Sequence, residues 1–232
     1  MSLKILTAGC LLAVAAFTFR AHTNSAFIPE QTAANKAFAM IEKGRSLLQE
    51  GDLVLRLNHD PASQFIRYFN RNDKSYSHAG IVLFENGYPF VYHIVNGDEN
   101  PGEQIKKDSL SRFCNPRQNF GFGIYRYKID AGEAKKLKAI IHSWQKNKVQ
   151  FDHGFDHNTD NRMYCSEMIT KALTKATEKR IQIASTKPTA IEVAALSAHI
   201  HLPLAAARKR KIIAIDNLYI NAHCAPVLRC QF

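Results

Sequence analysis

The chain has 232 residues, 46% hydrophobic and 22% charged, the proportions of one globular domain rather than of a disordered or fibrous chain. Lys and Arg outnumber Asp and Glu by 31 to 20, a net charge of +11, which favours anionic partners without choosing among nucleic acid, lipid and acidic polymer. No central apolar run reaches the roughly 18 residues of a membrane-spanning helix, which excludes a multispanning membrane protein.

Residues 1–26 stand apart. Lys4 precedes the apolar stretch ILTAGCLLAVAAFTF at 5–19, and Arg20, His22, Thr23 and Asn24 end it. A basic start before a short apolar core is the pattern of a secretory signal. The cleavage position stays open, because Asn24 or Phe19 would occupy a site that prefers a small residue. Lipid attachment through Cys10 of Thr7-Ala8-Gly9-Cys10 and an uncleaved anchor are the alternatives. The chain therefore divides into 1–26, a signal or anchor, and 27–232, one domain expected in the periplasm or cell envelope.

The predicted elements follow in order. Ala34, Ala37, Phe38, Ile41 and Leu48 mark a helix over 32–49, stopped by Gly51. DLVLRL at 52–57 alternates as a strand, and Pro61 opens a short helix over 61–70. AGIVLF and YPFVYHIV flank Glu85-Asn86-Gly87, a strong hairpin signal over 79–95. A strand is predicted over 120–129 and a helix over 131–147, with Ala134, Leu137, Ile140, Ile141 and Trp144 inward. A second long helix is predicted over 165–177, a short one over 188–197 and a last strand over 211–215. Strands and helices mix without a βαβ rhythm, so the class is α+β.

Two distant segments carry the chemistry. Ser75-Tyr76-Ser77-His78-Ala79-Gly80 puts a His where a loop enters a strand, and Tyr164-Cys165-Ser166-Glu167 puts a Cys where a loop enters a helix. Free amides and the positive dipole end favour a thiolate there, so an acidic, reactive Cys165 is expected. An imidazole beside it would take the thiol proton and return it to a leaving group. If Asn86-Gly87 is a two-residue turn, Glu85 faces Tyr88, and the pleat puts His78, Gly80, His93 and Val95 on one side of the sheet. His93 is then a diagonal neighbour of His78 and can orient its ring across the gap left by Gly80.

With Gly51-Asp52-Leu53-Val54, SHAGIVL and YCSEMI together, residues 45–200 resemble the YiiX/YaeF-like branch of the NlpC-type papain superfamily, in which the order is permuted and His precedes Cys. The resemblance extends to Phe151-Asp152 and Phe155 before the Cys, and to the Pro188 segment. It implies a papain-like α+β fold with a small antiparallel sheet against the Cys-bearing helix. It further implies Cys165 as nucleophile, His78 as base and His93 in the third position, where many relatives carry Glu. The implied activity is hydrolysis of an amide through a covalent acyl-enzyme, on an envelope peptide or an acyl-amide. The alternatives are acyl transfer or lipid and thioester hydrolysis of the lecithin:retinol acyltransferase-like type, and an envelope-binding module without turnover.

Tyr164, Ser166 and Asp152 are the oxyanion and substrate candidates, with a solvated loop as the plainer reading of Asp152 and Asp156. Glu167 is read as answering the helix dipole or pairing with a basic neighbour. No metal site is expected. His153 and His157 lack a third ligand, and Asp156, Asn158, Asp160 and Glu167 match a calcium loop whose turn position holds Asn161 instead of Gly. Phosphate-cradling and dinucleotide motifs are absent, so no cofactor is implied. Arg208 to Lys211 reads as a solvated strand edge, able to touch an anionic polymer or a lipid head group, and the export signal disfavours nucleic acid. Of the five Cys, Cys224 and Cys230 are candidates for a small disulfide loop, which oxidising compartments permit. Cys114 has no assigned role.

Overall fold

The computed structural model describes residues 27–232, with side chains from residue 32. The signal, anchor and Cys10 readings lie outside the described residues. A six-stranded antiparallel sheet runs in the order β4-β3-β2-β1-β5-β8. Its strands are β1 (Leu53–Asn58), β2 (His78–Glu85), β3 (Tyr88–His93), β4 (Lys106–Asp108), β5 (Asn119–Tyr127) and β8 (Cys224–Gln231). The short β6 (Gln150–Phe151) and β7 (Arg162–Met163) form a separate parallel pair.

The β2–β3 hairpin has the register read from its turn. Glu85 pairs with Tyr88 and Ile81 with Tyr92. Asn86 and Gly87 both take positive φ, 50° and 82°, the backbone of a type I′ turn. Pleat alternation then sorts the side chains. Leu53, Leu55, Ala79, Ile81, Leu83 and Tyr92 join the larger core, while Val54, Val82, Val91, Phe122 and Ile124 join a smaller one. The helix α1 (Phe27–Leu47) covers the smaller core through Ile41, with α3 (Leu110–Phe113) beside it.

The larger core rests on two helices. In α4 (Ala131–Lys146) a capping box joins Asp130 and Glu133, and Leu137, Ile141 and Trp144 point inward. In α5 (Cys165–Ala176) Met168, Ile169, Ala172, Leu173 and Ala176 are buried. It packs on α4 and on β2. Each buried Leu or Ile contributes roughly 1.5–3 kcal/mol. The helices α2 (Pro61–Tyr68), α6 (Ala190–Ile200) and α7 (Leu204–Ala207) complete the domain. An Asp60 cap and Pro61 start α2, and Thr189 with Glu192 caps α6. No described helix is long and apolar enough to cross a membrane.

Two expectations fail. Residues 211–215 form no strand: Ile212 makes one isolated bridge to Thr186, and the chain continues into a 3₁₀ turn at Ile215–Leu218. Side chains of α5 and its cap, rather than a neighbouring strand, take the polar groups of Ile213. The Cys224–Cys230 loop also fails. Both thiols are free and both lie on β8, paired along β5. Six steps of extended chain separate their Cα atoms by about 20 Å, against the roughly 4.4–6.8 Å a disulfide needs.

Candidate active site

Cys165 is the first residue of α5, and Tyr164 is its N-cap. The β2–β3 ladder stops at Ile81 and Tyr92, and α5 packs on β2. The amides of Ala79 and Ser166 both act on the Cys165 thiol and favour its ionised form, as does the Arg56 charge. Burial nevertheless outweighs them and pushes the thiol up to about 11. The expected acidic thiol is therefore corrected: at rest Cys165 is a neutral SH group, because desolvation exceeds the gain from the helix terminus.

Beside Ala79, His78 begins a chain of hydrogen bonds that steps outward through the sheet. His78 Nε2 meets His93 Nδ1 at 2.9 Å, and His93 Nε2 meets Asp108 Oδ2 at 3.0 Å. The steps repeat one geometry. Ile81 faces Tyr92 and Val91 faces Asp108, so both His78–His93 and His93–Asp108 are diagonal contacts across one strand boundary. Gly80 makes the first possible, since a Cβ there would lie 3.3 Å from His93 Cβ and against Val91. Phe113 packs on both imidazole rings.

The charges of this chain follow from its burial. Burial works to raise the Asp108 pKa, but hydrogen bonds from His93 and Lys106 hold it at about 2. Lys106 Nζ lies 3.0 Å from Oδ2 and Arg112 Nε 3.2 Å from Oδ1. Burial pushes His93 down to about 4, against the pull of Asp108. Burial, then the charge of Arg56, carries His78 well below the usual histidine range. At neutral pH the site thus holds a carboxylate and two neutral imidazoles.

Arg56 is the buried cation of the site. It lies opposite His78 on β1 and is 2% exposed. Its guanidinium takes both Glu99 oxygens at 2.7 and 2.8 Å, donates to Phe113 O at 3.0 Å and stacks over the Phe113 ring. Both hydrogen bonds to Glu99 come from Nη2 and hold this residue, in the 95–99 stretch that lines the same cavity as Arg56.

Cys165, His78 and Arg56 line one cavity of about 730 Å³. Much of its lining is apolar: Phe65 of α2, Phe69 just after it, Phe155, Leu196 and Ile200 of α6, and Ile213. Arg71 pairs with Glu192 and so ties α6 to the 70–73 loop, whose amides donate to Asp216. The lining also carries the charged or titratable side chains of Asp60, Asp98, Glu99, His153, His199 and Arg210.

The remaining predicted site residues divide. Tyr164 and Ser166 reach the cavity, but their side chains hold the 212–215 segment: Tyr164 Oη accepts from Ile213 N at 3.0 Å and Ser166 Oγ donates to Ile213 O at 2.6 Å. Asp152 is absent from the cavity wall. It is buried, and its carboxylate accepts the amides of Gly154 at 2.8 Å and of Asp156, which shapes its own loop. Asp156 pairs with Arg210 and Asp160 with Lys171 and Lys175, so the calcium pattern does not converge. Glu167 is buried on Lys171 at 2.9 Å, and its other oxygen accepts Tyr164 N.

A family model described as a permuted papain-like amidase enzyme, YaeF/YiiX, C92 family, matches residues 47–198. The chain belongs to this C92 family. The matched span holds β1, the hairpin, the His chain, the Cys-bearing helix and most of α6. An uncharacterized Escherichia coli K12 protein, YiiX, is 22% identical over 135 residues, 57% of this chain and 61% of its own length. The chain thus spans about three fifths of that curated relative. A crystal structure of a protein named metalloprotein yiiX, from Escherichia coli O157:H7, superposes with a TM-score of 0.64 at 17% identity, covering 79% of this chain and 98% of that one. That likeness bears on the fold, and the C92 membership supports a general hydrolase reading.

Sequence reasoning missed Asp108 and Arg56. Asp108 lies between the predicted hairpin and the predicted strand over 120–129, where no element is predicted, because the three residues of Lys106–Asp108 give no visible alternation. Arg56 sat in plain view within DLVLRL, where a charged residue at an inward strand position is itself a signal.

Proposed function

We propose that this C92 protein is a cysteine hydrolase that cleaves amides of hydrophobic acyl groups through a thioester intermediate. The observation that supports it most is the joining of a helix-terminal thiol, an anchored imidazole and an apolar cavity in one enclosure. Cys165 gives its proton to His78 and its sulfur attacks the carbonyl carbon. The amides at the α5 N-terminus face the developing oxyanion. His78 returns the proton to the departing amine as the C–N bond breaks. Water, deprotonated by His78, then attacks the thioester, releases the carboxylic acid and restores the thiol. The apolar wall favours an acyl-amide over a polar envelope peptide. An acceptor amine or alcohol in place of water would turn the same intermediate to acyl transfer. An envelope location, with the basic segment toward anionic lipid, is part of the proposal.

The solved relative is named a metalloprotein, and one group of donors here invites the same test. Ligand atoms of His93, Glu99 and Asp108 lie within 4.8 Å of one another. Cationic side chains already claim them: Lys106 Nζ sits 3.0 Å from Asp108 and 3.9 Å from Glu99, and Arg56 grips both Glu99 oxygens. A divalent ion would face three positive neighbours, counting Arg112, so the residues do not fit and no step passes through a metal.

The test is a series of N-acyl amides of increasing acyl length. kcat/KM should rise with length and vanish in Cys165→Ala. Equal rates across the series, or turnover retained in Cys165→Ala, would refute the reading.

A further inference from the structure

The His78–His93 contact by itself leaves open whether the other ring nitrogen of His78 carries a proton or a lone pair, and the sheet supplies the answer from its far side. A carboxylate only accepts hydrogen bonds, so the 3.0 Å contact at Asp108 Oδ2 requires the proton of neutral His93 to sit on Nε2. His93 Nδ1 is then an acceptor. The 2.9 Å contact at that atom requires the proton of His78 to sit on Nε2. His78 Nδ1 is left bare. Each assignment follows from the one before it, and the first is imposed by Asp108 alone.

We propose that Asp108 is a positioning residue that sets the tautomer of His78 from two strands away, through His93, and so keeps the His78 Nδ1 lone pair free for the Cys165 proton. Three features of the surroundings serve this. Lys106 on Oδ2 and Arg112 on Oδ1 keep Asp108 charged while it is buried. The Phe113 ring packs on both imidazoles and His93 is fully buried, which shields the His78–His93 and His93–Asp108 contacts. The diagonal register fixes both donor–acceptor pairs on the rigid backbone of β2, β3 and β4. A direct carboxylate partner for His78 would impose the same tautomer in one step. Two steps are needed here because His occupies position 93. The inference rests on His78 being the base, yet the ring protons can be read without any turnover.

The experiment is long-range proton–nitrogen NMR of the histidine rings at neutral pH, on the unmodified protein and on Asp108→Asn and Asp108→Glu. The unmodified protein should show His78 and His93 both as the Nε2–H tautomer. In Asp108→Asn the amide can donate to His93 Nε2, which reverses both rings to Nδ1–H and blocks the lone pair. Alkylation of Cys165 by iodoacetamide should then fall at least about tenfold, with partial return in Asp108→Glu. An Nδ1–H tautomer at either ring of the unmodified protein would overturn the proposal, even if the variants failed to fold. So would unchanged tautomers in a folded Asp108→Asn. If the tautomers behave as stated but His78→Ala alkylates as fast as the unmodified protein, the hydrolase reading fails and the tautomer chain stands.

Discussion

Two cysteines of this domain are buried to nearly the same degree and differ in everything else. Cys114 is 0% exposed and Cys165 7%, and burial raises both thiols. Cys114 belongs to the smaller core with Phe113, Leu110 and Val91. It does not line the cavity that Cys165 opens onto, and its thiol is carried well above the ordinary range. Cys165 opens onto the cavity, has the amides of Ala79 and Ser166 on its sulfur, and shares that cavity with the anchored imidazole of His78. Burial by itself makes an inert thiol. What separates the two is the supply of donors around the sulfur and a base with room for a carbonyl carbon between them.

The largest expected effect breaks the comparison outright. His78→Ala should slow iodoacetamide labelling of Cys165 by about a hundredfold, followed by peptide mass mapping. Cys114 should stay unlabelled in both proteins until urea unfolds them, and Cys224 and Cys230, on an edge strand, should label equally in both. Labelling of Cys165 that ignores His78 would make the two buried thiols alike.

The pH dependence sharpens it. With the thiol at about 11 and His78 well below its usual range, the resting site is the neutral pair rather than thiolate and imidazolium. Labelling of Cys165 should therefore rise continuously from pH 6 toward pH 10. A plateau reached in the acid range would mean a preformed ion pair.

Stability gives a smaller contrast. Cys114→Ser buries a hydroxyl among apolar side chains and should cost about 1–3 kcal/mol. Cys165→Ser keeps two amide donors and a cavity edge, and should cost less than about 1 kcal/mol. Urea denaturation of both variants measures the difference, and equal losses would show that the donors around Cys165 do nothing for it.

A pH-dependent contrast comes from Glu167, two residues past Cys165. Burial raises it to about 7, against the pull of Lys171. Between about pH 4.5 and 7 the folded state then holds a proton that the unfolded state has lost. The stability this gives is complete below the unfolded value and disappears as pH rises through 7. Glu167→Gln should remove that decline, and an unchanged pH–stability curve would place the carboxyl near its ordinary range.

The parts of the fold that the sequence made legible are those decided locally. Asn86-Gly87 fixes a turn, the turn fixes a register, and the register puts His93 diagonal to His78. The α5 pattern and its start at Tyr164 are equally local. The failures all depend on distant partners. Lys106–Asp108 becomes a strand only because β3 offers an edge. Ile212–Ile215 looks like a strand by composition, but Tyr164 and Ser166 satisfy its backbone instead. Cys224 and Cys230 suggested a loop until β5 supplied a strand to pair with. The thiol of Cys165 was misjudged for a related reason: the helix terminus is visible in the sequence, whereas the depth of burial is a property of the assembled core.

The central claim is that Cys165 becomes acylated in the course of reaction, and trapping that species tests it most directly. The protein is mixed with a long-chain N-acyl amide, quenched in acid within the first turnover, and its intact mass and peptides are read. One acyl group on the peptide containing Cys165, released by hydroxylamine and absent from Cys165→Ala, is the predicted result. Product formed with no adduct at Cys165, or an adduct carried by another residue, would contradict the account.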